Sequence, residues 1–325
     1  MGILVVIFLG IPPFTSEGIE SLELQSIQQS LDIPDALAHV TDAYWPSVQR
    51  PPDYILIQDV HRHPKVQAQI ASLIIHGYYA WGVRKVFLEG AFTSLDLSMF
   101  HRVPNKTRSL LTERLVRDGD LSGPELAAVQ ILEREWRDPP VSPFQLFGME
   151  DPKLYRQNVL AYQSVLSQRD RALEDLIPIR RLQNSMHLSE PNLLNQQLDR
   201  VEDLLRLKLT PAEYDAYLQG KAEVPSTPAL DPAVHAAEEF YRLAQLRSRI
   251  FLKQAANKVP ASSAPRILVV GGFHTAFMAE CLRLEGHSFI VLAPSVEAGQ
   301  ADPIYEKRMK ETSDALTQAL VPAPR

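Results

Sequence analysis

The sequence predicts an α/β fold, a mainly parallel sheet flanked by helices, and three observations lead to it. Short and almost wholly apolar runs recur along the chain, each run closes in Gly or polar residues, and amphipathic helical patterns lie between them. A run that is apolar on every residue suits a strand buried on both faces. That is the condition of a parallel sheet covered by helices on each side.

Four runs read as such strands: residues 54–58, 85–89, 144–148 and 266–271. A fifth, 288–293, ends at Pro294. Between the first two, Val66, Ile70, Leu73 and Ile74 recur at helical spacing behind Pro64, which gives a β-α-β unit. Toward the C-terminus a strand, a helix over about 275–284, a stop at Gly286 and another strand follow in order.

Residues 152–260 hold no strand-like run. One helical stripe there is Leu198, Val201, Leu204, Leu205 and Leu207, and another is Phe240, Leu243, Leu246, Ile250 and Phe251. These helices are expected as an insertion over the carboxyl ends of the strands, with Arg247 and Arg249 on a solvated face. The Pro- and Ser-rich stretch 222–231 reads as a loop. The chain thus divides into an N-terminal segment, 1–30, and a single α/β domain, 31–325.

A net charge of −6 with both signs interspersed offers no basic stripe to neutralise phosphates, so nucleic acid is not expected as a partner. The lone Cys281 excludes an internal disulfide and a cysteine-rich zinc module, and reads as a core residue. No run reaches the roughly 18 residues of a membrane-spanning helix. The apolar stretch 3–9 reads either as the remnant of a signal peptide or as a buried strand, although no Lys or Arg precedes Arg50. Export, periplasmic or extracellular, is favoured over a cytoplasmic location.

The polar residues that close the strands carry the chemistry. Gln58-Asp59-Val60-His61-Arg62-His63 ends the first strand, Glu89 ends the second, Glu150 follows the third and His274 follows the fourth. Ligands of open α/β sheets gather outside the carboxyl ends of the strands. Taken singly, each residue has a structural explanation, as a helix cap or an ion-pair partner. Their repetition predicts that Asp59, His61, Glu89, Glu150 and His274 line one pocket. Gly90, Gly148, Gly271 and Gly272 would allow close approach to the backbone there. The two histidines are expected to contribute little to packing. Glu89, directly behind Val86-Phe87-Leu88, is expected to be half buried and balanced by a partner. His63 is expected at the surface.

Gln58-Asp59-Val60-His61, the strand-end Glu89 and Gly271-Gly272-Phe273-His274 resemble the motifs shared by the Tiki and TraB proteins, erythromycin esterases and ChaN-like haem-uptake proteins. The likeness covers about residues 54–92 and 266–294, and is greatest to bacterial members without an assigned activity. Gln58 stands where Gly is usual and Asp59 where several branches carry Glu.

The resemblance implies a hydrolase acting on a small molecule or peptide. In a Tiki-type form, His61, Glu89 and His274 would hold Zn, Mn or Co, with Asp59 or Glu150 as orienting group or base. In an erythromycin esterase-type form, His61 would be the base without a metal. A ChaN-type alternative would bind haem or iron without catalysis. It would require an axial ligand and an apolar face, for which Tyr54, Tyr78 and Tyr79 read first as core residues.

Overall fold

The computed structural model of the protein describes residues 17–46, 51–59, 63–185, 191–221, 226–258 and 264–295. Seven strands form one mixed sheet: β1 (Ala38–Tyr44), β2 (Tyr54–Asp59), β3 (Lys85–Leu88), β4 (Ser94–Leu95), β5 (Gln145–Gly148), β6 (Arg266–Gly271) and β7 (Phe289–Pro294). Their spatial order is β1-β7-β2-β6-β3-β5-β4. The five central strands are parallel, and β1 and β4 close the edges antiparallel to their neighbours. All five strands expected from the sequence are present, and the α/β class holds. The two edges escaped that reading. β1 alternates Val and Ala with His, Thr and Asp because it is buried on one side only, and β4 is two residues long.

Neither β-α-β unit joins adjacent strands. Helix α2 (Pro64–Ala80) carries the chain from β2 over β6 to β3, and α9 (Gly272–Leu284) carries it from β6 back over β2 to β7. The two crossovers run in opposite directions along the sheet, so a common right-handed sense places their helices on opposite faces. Val66, Ile70 and Ile74 of α2 accordingly share a core with Ile55, Ile57, Val86 and Val269. Met278, Ala279 and Leu282 of α9 share another with Tyr54, Leu56, Phe87 and Leu268. The interleaving sets the end of β6 between the ends of β2 and β3, which are remote from it in the chain (Asp59 pairs with Gly271 and Leu88 with Val269).

The α2 face is completed by α1 (Glu17–Ser30), α3 (Asn105–Arg117), α4 (Gly123–Glu135) and a 3-10 turn, Ser98–Arg102. Gln28 fastens α1 to β1, donating to the Ala38 carbonyl (3.1 Å) and accepting from the Val40 amide (3.1 Å). The described residues of 152–260 form four helices and no strand: α5 (Pro152–Ser185), α6 (Pro191–Leu205), α7 (Pro211–Gly220) and α8 (Leu230–Lys258). They share a third core, centred on Tyr214, Tyr217 and Tyr241, against which Phe273 at the start of α9 packs. The stretch 3–9 lies outside the described residues. Among the described residues no helix is long and apolar enough to cross a membrane.

Candidate active site

Glu89 follows β3 directly. Its parity is that of Phe87, which faces the α8 and α9 side, so pleating turns the carboxylate toward those helices. Its amide donates to the Val269 carbonyl of β6 (3.2 Å), and its Oε2 accepts from the Gly271 amide (2.8 Å), where β6 becomes α9.

Glu150 is brought beside Glu89 by two glycines. Gly90 takes φ +79°, which turns the chain after Glu89. Gly148 lies so close to the strand leaving that turn that a Cβ would sit 2.2 Å from the Ala91 carbonyl carbon and oxygen. The Met149 amide then donates to Leu88 O (3.0 Å) and the Glu150 amide to Ala91 O (2.9 Å), and Glu150 Oε1 accepts from the Gly90 amide (3.2 Å).

Between the two carboxylates lies Arg247 of α8, only 6% exposed. Its Nε donates to Glu150 Oε2 (3.1 Å), its Nη2 to Glu150 Oε1 and to Glu89 Oε1 (3.1 Å), and its Nη1 to Asn158 Oδ1 of α5 (2.8 Å). Burial opposes the guanidinium charge. The Glu89 and Glu150 carboxylates more than offset it and raise the Arg247 pKa above the ordinary arginine value. The rings of Tyr155 and Phe251 flank the cation at 5.5 Å.

This corrects the expectation of a solvated Arg247. The inward stripe of α8 is Leu243, Ala244, Arg247, Ser248, Phe251, Leu252 and Ala255, one position out of phase with the stripe through Leu246 and Ile250. Arg249 does stand at the surface, over the Phe277 ring (5.6 Å). The signal that could have located Arg247 is its position midway between Leu243 and Phe251, where helical spacing demands a buried residue.

His274 lies in the first turn of α9, which begins at Gly272 without an intervening loop. Its Nε2 is 3.3 Å from Glu89 Oε1 and its Nδ1 is 2.8 Å from Ser248 Oγ. Ser248 is fully buried, and its hydroxyl also lies within donating distance of the Ala244 carbonyl (3.0 Å). A neutral imidazole facing a carboxylate carries its proton on Nε2, so Nδ1 then accepts from the Ser248 hydroxyl. When Nδ1 is protonated it donates to Ser248, whose own proton turns to Ala244. His274 therefore keeps both partners whichever way it is charged. The serine–histidine–glutamate order is that of a nucleophile, base and orienting acid, yet Ser248 is enclosed within α8 and is not presented to a substrate. His274 itself is 6% exposed and packs on Phe251 (ring centroids 5.2 Å), so the expectation that it contributes little to packing is corrected.

Glu89, Glu150 and His274 thus meet, joined by Arg247, Ser248 and Asn158, which sequence reasoning missed. Asp59 has the parity of Ile57, toward α2, and accepts from Gln67 Nε2 (2.7 Å). Gln67 Oε1 in turn accepts from the Gly123 amide of α4 (2.6 Å). His61 lies outside the described residues. His63 is half-buried rather than exposed and caps α2, accepting from the Val66 amide (3.4 Å). Gln58 has the parity of Leu56, on the α9 side, and its Nε2 would lie 2.6 Å from a Cβ at Gly272.

A divalent cation fits the described residues poorly. Both oxygens of Glu150 and one of Glu89 are taken up by Arg247, and the other oxygen of Glu89 by the Gly271 amide. An ion between Glu89 and His274 would face the guanidinium. Among the described residues no group of three or more His, Cys, Asp or Glu could hold a metal. Nor do the tyrosines considered for haem meet here. Tyr54 begins β2 at the opposite end of the sheet, Tyr78 donates to Glu135 (2.9 Å), and Tyr79 is exposed.

No protein-family model, curated protein or solved structure matches the chain.

Proposed function

We propose that the protein is a hydrolase of ester-type carbonyl compounds, working at the carboxyl edge of the sheet in the manner the resemblance to erythromycin esterases implies. One observation carries this reading: Glu89 Oε1 lies 3.3 Å from His274 Nε2 and 3.1 Å from Arg247 Nη2. A proton carrier and a fixed cation converge on one carboxylate oxygen. An imidazole can take the proton that water loses on attacking a carbonyl and return it to the departing alcohol. The guanidinium holds the Glu89 carboxylate in place beside the imidazole before reaction, so the pair keeps its geometry. His61, following β2 in the chain, is the second imidazole of this reading. The commitment of Glu89 and Glu150 to Arg247 favours the ester-type form over the metal-holding peptidase form.

The test is turnover of a panel of activated acyl esters and short peptides by the purified chain, with and without a chelator. Ester hydrolysis that survives chelation supports the proposal. Peptide cleavage abolished by chelation returns the metal reading, and no turnover of any substrate rejects hydrolysis.

A further inference from the structure

At the opposite end of the strands, a groove of about 410 Å³ opens between α8 and α9. Leu252 and Leu282 form a buried apolar floor, and Arg249 and Lys253, one helical turn apart on α8, stand exposed at its rim. Lys253 has no hydrogen-bond or ion-pair partner among the described residues. Across the groove Glu285 and His287 stand side by side, 3.9 Å apart.

Tyr54 lies at the bottom. It is 3% exposed, and its hydroxyl has no hydrogen-bond partner among the described residues. Its ring is fixed by an edge contact with His287 (5.6 Å) and by Arg266 over its face (5.1 Å). Burial raises the Tyr54 pKa, so the hydroxyl remains a donor. Tyr54 lines the groove together with Arg249, Lys253, Glu285 and His287.

We propose that the groove binds a small amphipathic carboxylate, its headgroup held by Lys253, Arg249 and the Tyr54 hydroxyl and its hydrocarbon laid on Leu252, Ala256 and Leu282. The volume lies within the roughly 300 to 1,000 Å³ of small-molecule sites. Two cations and a donor against the single carboxylate of Glu285 favour an anionic head, and the leucine floor favours an apolar body over inorganic phosphate.

The chain's single cysteine, Cys281, lines the groove and reports on its occupancy. Labelling of the folded full chain with a chromogenic disulfide reagent would be followed at mildly alkaline pH, with decanoate below its micellar concentration as the probe and decanol as the uncharged control. Decanoate should slow labelling saturably and decanol should protect less. Lys253→Glu and Tyr54→Phe should each raise the half-protecting decanoate concentration about tenfold, as for the loss of one charge-assisted hydrogen bond. Lys253 is exposed, so its replacement leaves the fold intact. Labelling unaffected by decanoate, equal protection by decanol, or full protection in Lys253→Glu would each overturn the proposal. None of these outcomes depends on ester hydrolysis.

Discussion

Glu150 holds Arg247 through both of its oxygens, although the two residues stand 97 positions apart in the chain. The Glu150 side chain is fully buried and that of Arg247 nearly so. A buried pair of this kind adds little net stability, but breaking it leaves an uncompensated charge in the interior.

Arg247→Met should therefore destabilise the protein by about 3 to 5 kcal/mol. Adding Glu150→Gln should recover part of the loss. Arg249→Met, at the surface on the same helix, should cost less than about 0.5 kcal/mol. Denaturant unfolding of the three variants checks this ordering, and equal losses for Arg247 and Arg249 would contradict it.

Two glycines should respond differently to alanine. At Gly148 the new Cβ would meet the Ala91 backbone at 2.2 Å, so β5 must part from the turn that carries Glu89 and Gly90. At Gly272 it would meet only the flexible end of Gln58, at 2.6 Å. Gly148→Ala should lower stability by at least the roughly 1 to 3 kcal/mol of overpacked cores and displace Glu150. Gly272→Ala should cost clearly less. Thermal melts of both variants decide the comparison.

The helical layer should be sensitive to alkali. Burial pushes the Tyr214 phenol up to about 12 and raises Tyr217 and Tyr241 further. A folded value above the unfolded value of about 10 means that the stability these phenols contribute is fully present below pH 10 and is lost as pH climbs toward 12. Ultraviolet titration should show these tyrosines ionising with unfolding, and Tyr214→Phe should unfold at higher pH than the parent. An unchanged unfolding pH would count against the account.

The central strands were legible because burial on both faces leaves a nearly continuous apolar run, as in Ile55-Leu56-Ile57 and Leu268-Val269-Val270. Glu89, Glu150 and His274 were legible for a related reason, since a polar residue ending such a run must meet a partner. Strand order was not. The insertion of β6 between β2 and β3 is a long-range pairing that leaves no local mark. Arg247 was misplaced because residue type suggested a surface, while the carboxylates that make its burial tolerable come from β3 and β5, remote in the chain. Asp59 shows the limit of position along a strand. It ends β2 at the same edge as the cluster, yet pleating sends its side chain toward Gln67 and α4.

The relation between Glu89, His274 and Arg247 is tested most directly by the steady-state kcat/KM of His274→Asn on the ester that the parent chain turns over best, with urea unfolding of the same preparation. Asparagine can keep a hydrogen bond to Ser248 but cannot carry a proton near neutral pH. The account predicts a fall of about 10² to 10⁴ in kcat/KM. Stability should stay within about 1 to 3 kcal/mol of the parent. Parental turnover in a folded His274→Asn protein would contradict it and leave His274 a packing residue.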